Sequence, residues 1–356
     1  MDRVRAAVRQ EGLAVPAGKA APRAQEAAIV ALGASVPERA LTNAELEKMV
    51  DTSDEWIRTR TGIRERRIAP PGTPTSELGA AAAREALQAA RMGPEELDLI
   101  VLATFSPDCP FPATACAVQA RLGARNAAAF DVAAACAGFI YGLSVAQQFV
   151  RTGAAKNALV VGAEVLSSVV DYRDRNTCIL FGDGAGAAVV RSAESARDAG
   201  QPAHRVVSTR LASDGSGFEL LWIPAGGSRR PATEETVRAR EHYIRMNGRE
   251  VFKIAVQRFR DSIEQAAADA GWAVGEIDLV VPHQVNTRII DSVVERLGIP
   301  PEKVFQNLDR YGNTSAASIP LALHEAEKAG RLKPGNKVVL AAVGGGITWA
   351  GAALVW

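Results

Sequence analysis

Three side chains with nucleophilic or hydrogen-bonding chemistry stand out by where they fall: Cys136, His283 and Asn313. Cys136 closes the apolar run within Asp131-Val-Ala-Ala-Ala-Cys-Ala-Gly-Phe139 and opens a small-residue segment that reads as a helix. A thiol at a helix N-terminus meets the positive end of the helix dipole and unpaired backbone N–H groups. Both favour the thiolate, the form of cysteine that attacks a carbonyl carbon. His283 lies in Val281-Pro-His-Gln-Val-Asn286, where an apolar strand emerges, and ligand sites in α/β sheets are often at such strand ends. Asn313 lies in Tyr311-Gly-Asn-Thr-Ser315, ahead of another helical stretch. Taken singly, each has a bland reading: a small buried hydrophobe, a hydrogen-bonded core histidine, a turn or N-cap asparagine.

The elements that must position these groups alternate short β-branched runs with Ala/Leu/Glu stretches from Ala27 onward, which predicts an α/β fold with a covered sheet. Strands are expected over 98–102, 158–161, 186–190, 278–281, 337–340 and 352–355, and helices over about 76–91, 137–151, 249–270, 287–297 and 316–329. The pattern repeats with an offset of 180 positions: Glu96-Leu-Asp-Leu-Ile-Val101 resembles Glu276-Ile-Asp-Leu-Val-Val281, and Asn157-Ala-Leu-Val-Val161 falls on Lys337-Val-Val-Leu-Ala341. Each half then closes with a glycine-rich turn, Gly182-Asp-Gly-Ala-Gly186 or Gly344-Gly-Gly346. Two similar halves, 27–200 and 201–356, are the economical reading. Under the same offset Cys136 falls on Ala316, just after the Asn313 loop, so the two loops are related and are expected to converge with the His283 strand end on one pocket.

Composition narrows the function classes. The 356 residues are 47% hydrophobic and 23% charged, enough for two packed halves. A net charge of +1 offers no bulk attraction for nucleic acid or membrane, and no apolar run reaches membrane-spanning length. The four cysteines form no CxxC pair and have no histidine at zinc spacing, which argues against a metal site and for reduced thiols in a cytoplasmic protein. Residues 1–26, rich in Ala, Arg and Gln, read as a mobile extension, with a transit-type leader as the alternative. The arginines 58, 60, 64, 66 and 67 after Trp56 read either as guanidinium groups for phosphate beside an aromatic face for adenine, or as a solvated loop.

Longer segments carry a resemblance. Asp51-Thr-Ser-Asp-Glu-Trp-Ile57, Thr59-Arg-Thr-Gly-Ile-Arg-Glu-Arg66, Asp131 to Gly138, Phe181-Gly-Asp-Gly-Ala-Gly186, Pro282-His-Gln284 and Tyr311-Gly-Asn-Thr-Ser-Ala-Ala317 together resemble the β-ketoacyl-acyl carrier protein synthase III family of the thiolase superfamily, over nearly all of residues 27–356. A Cys/His/Asn set is similar to that family. The chain-elongating synthases would show a second His in place of Asn313, and thiolases a second Cys. The resemblance implies a thiolase-like fold of two pseudo-repeated halves in five αβαβα layers. It also implies a Claisen condensation of a short acyl-CoA with malonyl-acyl carrier protein through an acyl-enzyme on Cys136.

The family's site residues carry over position by position. Backbone N–H groups of Cys136 and Gly345 would form the oxyanion hole, and His283 and Asn313 would hold the enolate. Trp56, Arg60 and Arg175 would contact CoA, Gly248 and Asn286 would border the pantetheine channel, and Lys253 and Arg288 would dock the acidic carrier protein. Phe111 would enter the acyl pocket of a neighbouring subunit, implying a homodimer, with Phe105, Leu211 and Val343 shaping the pocket. No metal or redox cofactor is implied; the CoA thioester is a substrate.

Two positions depart from the family pattern. Val343 and Ile347 flank the triple glycine where many members carry aromatics, which is expected to reshape the cavity beside Cys136. The alternative reading is therefore a synthase III-like enzyme of specialised metabolism with a nonstandard acyl donor or acceptor. A noncatalytic carrier-binding homologue would be expected to lose the trio, and a cysteine hydrolase would need a water-activating group that the sequence does not single out.

Overall fold

The computed structural model describes residues 25–356, so the expected extension over 1–26 lies almost wholly outside the described residues. Nine strands form the main sheet: β1 (Ala27–Ser35), β2 (Leu99–Ala103), β3 (Ala128–Val132), β4 (Asn157–Glu164), β5 (Gly184–Ser192), β6 (His204–Ser213), β7 (Leu279–Pro282), β8 (Lys337–Gly344) and β9 (Thr348–Val355). Their spatial order is β7-β8-β9-β6-β1-β5-β4-β2-β3. Strands β3, β2 and β4 run parallel, as do β7 and β8, while β5, β1, β6 and β9 join antiparallel. The two halves of the sheet meet only through β1 and β6, where Ala28 and Ile29 pair with Arg205 and His204.

The longer helices among the described residues are α1 (Asp54–Thr61), α2 (Thr75–Ala89), α3 (Thr114–Leu122), α4 (Gly138–Arg151), α5 (Gly248–Asp269), α6 (Thr287–Leu297) and α7 (Ser318–Lys328). Helices α2 and α3 cover the outer face of the first half-sheet, and α5 with α6 beside it covers that of the second. Helix α4 touches β2, β4 and β5 of one half and β6 and β9 of the other, and α7 touches β1, β5 and β7. These two helices form the middle of five αβαβα layers. Strand β4 is buried at every position, as a strand between two helical layers must be, which explains its unbroken apolar reading.

The 180-residue offset holds in three dimensions. It relates the starts of β2 and β7, the full spans of β4 and β8, the turns Ala135–Ala137 and Ser315–Ala317, and the starts of α4 and α7. It also relates hydrogen bonds: Asp98 Oδ2 accepts from Asn157 N at 3.0 Å, and Asp278 Oδ2 from Lys337 N at 2.8 Å. Both halves thus deliver a tight turn followed by a central helix to the same interior. The close approach requires glycine, because a Cβ at Gly162 on β4 would stand 2.2 Å from the Ala316 carbonyl oxygen.

Candidate active site

Cys136 occupies the middle of the 3-10 turn Ala135–Ala137 that runs into α4. Its neighbour Ala135 has φ 44, a left-handed conformation that costs a non-glycine residue about 1–2 kcal/mol and must be held by its surroundings. The holding comes from the end of β8 and the start of β9. A Cβ at Gly344 would stand 2.7 Å from the Cys136 backbone nitrogen, and Thr348 Oγ1 donates to the Ala134 carbonyl at 2.9 Å. The glycine-rich turn therefore lies directly against the nucleophile loop, and Cys136 and Gly345 line one cavity of about 370 Å³. Its remaining wall is apolar, with Phe105, Phe181, Leu221, Trp222 and Ile244.

His283 and Asn313 are buried beside this loop and do not themselves line that cavity. The His283 backbone N–H is fixed to the Ala341 carbonyl on β8 at 2.8 Å, and its Nδ1 lies 2.7 Å from Ser318 Oγ, at the start of α7. Nε2 is buried with no partner. Asn313 bridges to Phe181, which lines the cavity, and its Oδ1 accepts the Ser315 N–H at 2.9 Å, so its amide NH₂ points away from that turn. The turn Ser315–Ala317 packs on the turn Ala135–Ala137, bringing the Asn313 segment against the Cys136 segment.

Burial dominates the electrostatics. It pushes the His283 imidazole down to about 3, so the ring is neutral. Burial also pushes the Cys136 thiol up to about 12, with the Glu164 carboxylate adding to the rise and the Ser315 hydroxyl opposing it. This departs from the expected resting thiolate: desolvation of the buried sulfur favours the protonated thiol.

A second cavity, of about 760 Å³, is lined by Trp56, Arg60, Gly248, Asn286 and Arg288 together with Arg245 and Arg249. The guanidinium of Arg60 lies 4.9 Å and that of Arg175 5.2 Å from the Trp56 ring centre. Trp56 is placed by α1, whose N-cap Ser53 accepts the Trp56 N–H at 3.1 Å. An indole face under two guanidiniums, opening on several arginines, fits a flat base joined to phosphates.

Sequence models of the 3-oxoacyl-[acyl-carrier-protein (ACP)] synthase III family match residues 130–215, and those of its C-terminal region match 267–356. The β-ketoacyl-[acyl-carrier-protein] synthase III of Symbiobacterium thermophilum is 55% identical over 92% of this chain and 97% of its own. The chain belongs to the synthase III family. Its members are acyl-transferring condensing enzymes. The solved Aquifex aeolicus 3-oxoacyl-[acyl-carrier-protein] synthase III superposes with a TM-score of 0.84 at 49% identity, covering 93% of this chain and all of that one. The priming β-ketosynthase of the R1128 polyketide pathway matches with a TM-score of 0.85 at 36% identity, covering 95% and 98%.

Of the positions carried over from the synthase III pattern, Leu211 and Val343 do not line the cavity they were expected to shape, whereas Phe111 and Lys253 are exposed and so accessible for the contacts expected of them. Leu211 sits on β6 opposite Ala350, 37% exposed and outside the cavity. Val343 on β8 is buried in the apolar cluster beneath α5 and α6, so its replacement of an aromatic changes the core there and not the cavity wall. Phe111 is 86% exposed and lines no part of its own chain's cavity. Lys253 on α5 is exposed and paired with Glu250 at 2.8 Å, outside the second cavity. Arg66, read with the basic stretch, is fully buried and bonds the Leu41 and Ile179 carbonyls and Asn43 Oδ1. Among the described residues no helix is long and apolar enough to cross a membrane.

The sequence reading missed Ser318, Ser315 and Glu164. Glu164 carried a signal: it is the one charge ending an otherwise apolar run from Ala158 to Ala163.

Proposed function

We propose that this chain condenses a short acyl-CoA with malonyl-acyl carrier protein to give 3-oxoacyl-acyl carrier protein, with Cys136 as nucleophile. The observation that carries the reading is His283, a neutral buried imidazole with an unpartnered Nε2, together with an asparagine, Asn313, whose amide NH₂ is directed away from its own turn.

In the first stage the Cys136 sulfur attacks the thioester carbonyl, and the N–H groups of Cys136 and Gly345 receive the oxyanion. The C–S bond to CoA breaks and the acyl-enzyme remains. The apolar cavity of about 370 Å³ supports a short acyl group. The adenine and phosphates of CoA fit the Trp56, Arg60 and Arg175 cluster, Gly248 and Asn286 border the channel, and Arg288 at its rim faces the carrier protein.

In the second stage the malonyl carboxylate leaves as CO₂, and the electron pair moves onto the thioester oxygen as an enolate. With the Ser318 hydroxyl donating to Nδ1, His283 Nε2 carries its proton and donates to that oxygen, as does the Asn313 amide. The enolate carbon attacks the acyl carbonyl, and the Cys136 sulfur is expelled as thiolate. A neutral donor suits this step because it stabilises the developing charge without surrendering a proton that would quench the carbanion.

Exposure of the large apolar Phe111 supports a homodimer in which it meets a second copy. Incubation with acetyl-CoA and malonyl-acyl carrier protein tests the reading. The product is 3-oxobutanoyl-acyl carrier protein with release of CO₂; decarboxylation without acyl transfer, or no reaction with any short acyl-CoA, contradicts it.

A further inference from the structure

The mechanism leaves several buried ionisable groups unused, Arg66, Asp183 and Glu164 among them. Glu164, at the end of β4, is fully buried, and four hydrogen bonds converge on its Oε2: from Thr104 Oγ1 at 2.9 Å, Ser106 Oγ at 2.6 Å, Ser106 N at 3.1 Å and Phe105 N at 3.2 Å. Oε1 has only the long Phe105 N contact at 3.4 Å, so acceptor capacity remains on that oxygen. Among the described residues no cationic side chain pairs with Glu164, so its charge is held by hydrogen bonds alone.

Ser315 stands between this carboxylate and the nucleophile. Its hydroxyl faces both the Cys136 sulfur and Glu164, yet completes a hydrogen bond with neither. Ser315 is held at φ 47, a strained conformation for a residue with a Cβ, by the bond from its N–H to Asn313 Oδ1. A buried, unsatisfied hydroxyl fixed between a thiol and a carboxylate is arranged to pass a proton between them.

We propose that Glu164 stores the Cys136 proton during the catalytic cycle, receiving it through the Ser315 hydroxyl on acylation and returning it after condensation. On acylation the Cys136 S–H bond breaks, and its proton passes to Ser315 Oγ as the Ser315 proton passes to the carboxylate. The sulfur electron pair forms the new C–S bond, and CoA leaves as thiolate. On condensation the Cys136–acyl bond breaks, and the expelled thiolate takes the proton back along the same path. Glu164 acts through Ser315 and does not touch substrate.

Burial pushes the Glu164 carboxyl up to about 7, within the range where it both accepts and gives up a proton. Cys136 is the titratable group facing it; the other groups around it, Thr104, Ser106, the Phe105 N–H and Ser315, do not titrate in this range. Glu164 must be ionised to accept, so acylation rises with pH through about 7 and falls away below it.

The inference rests on the acyl-transfer reading, and one experiment separates their failures. Acyl adduct formation on Cys136 is followed by rapid quench and intact mass between pH 5.5 and 8.5, with acetyl-CoA, for wild type, E164Q, S315A and the double variant. The relay predicts a rate loss of about a hundredfold in each single variant, no further loss in the double, and disappearance of the inflection near 7. If E164Q does not fold, S315A, which leaves the Glu164 hydrogen bonds from Thr104, Ser106 and Phe105 intact, decides alone. A uniform loss with the inflection kept marks a structural role and overturns the relay, as do multiplicative losses or wild-type rates in either variant. Absence of any adduct on wild type overturns the acyl-transfer reading and the relay with it.

Discussion

Ala135 and Ser315, 180 positions apart in the sequence, both take left-handed backbone, at φ 44 and φ 47. One immediately precedes Cys136, and the other follows Asn313 by two residues. The two halves of the fold thus present the same strained turn at the head of a central helix, face to face. In the first half it presents the thiol, and in the second it directs the Asn313 amide away from its own turn and fixes the Ser315 hydroxyl beside the thiol.

Gly344 is one position where this arrangement has no room for a side chain. A methyl group there meets the Cys136 N–H at 2.7 Å, in the space an oxyanion donor must keep free. Gly344→Ala is expected to slow acylation by about a hundredfold, the cost of losing one oxyanion donor, and to lower stability in urea unfolding by about 1–3 kcal/mol, because the clash is with backbone. An acylation rate within a factor of about two of wild type removes the Cys136 N–H from the mechanism.

In the proposed mechanism His283 and Asn313 act on the enolate and not on acyl transfer to the thiol. His283→Ala is therefore expected to accumulate acyl-enzyme normally and to lose condensation by about 10²–10³-fold, around 3 kcal/mol, while Asn313→Ala, which also frees the Ser315 N–H, loses condensation to a similar extent and slows acylation as well. Separate measurement of adduct formation and of CO₂ release makes the distinction. Equal losses in both steps for His283→Ala would assign that residue to positioning the loop.

Much of this was legible in the sequence, for identifiable reasons. The 180-residue repeat, and with it β2, β4, β7 and β8, reads easily because buried parallel strands are continuous apolar runs. Strands β1, β3 and β6 were missed. The first is Ala- and Gly-rich, β3 is only half buried, and β6 alternates polar residues such as Arg205, Ser208 and Arg210. Helix α6 was placed over its observed span, since Asn286 caps its start and Gly298 follows its end. At the site, Cys136, His283 and Asn313 each have a bland reading taken singly, and the sequence groups them only through the 180-residue repeat and the resemblance of the longer segments to synthase III. Leu211 and Val343 were misread, because which face of a strand lines a cavity depends on the neighbouring layer and not on the strand itself. Ser318 and Ser315 carry no signal of their own, as serines at helix starts are commonplace.

Trp56 is expected to act on binding alone. Trp56→Ala removes the face over which Arg60 and Arg175 lie, and should raise KM for acyl-CoA by about tenfold, leaving kcat nearly unchanged. A kcat loss with unchanged KM contradicts the placement of the nucleotide in the 760 Å³ cavity.

His204 provides a stability prediction with a definite sign. It stacks on Trp356 with ring centres 3.8 Å apart, and burial pushes its imidazole down to about 4. The unfolded chain binds a proton below about 6.5 where the native state does not, so the stability present above that pH is lost as pH falls toward 4. His204→Phe keeps the stack and removes the titration. Relative to this variant, the wild type should lose about 2 kcal/mol between pH 7 and pH 5 in urea unfolding. Parallel curves would place a protonated His204 in the folded state.

The central claim is that Cys136 carries the acyl group between the two substrates, and intact-protein mass spectrometry of wild type and Cys136→Ala tests it most directly. After exposure to a panel of short acyl-CoAs, the wild type should gain one acyl mass that is lost to 3-oxoacyl product on addition of malonyl-acyl carrier protein, and Cys136→Ala should gain none. An adduct that persists through the chase, or one that forms equally on Cys136→Ala, would contradict the account.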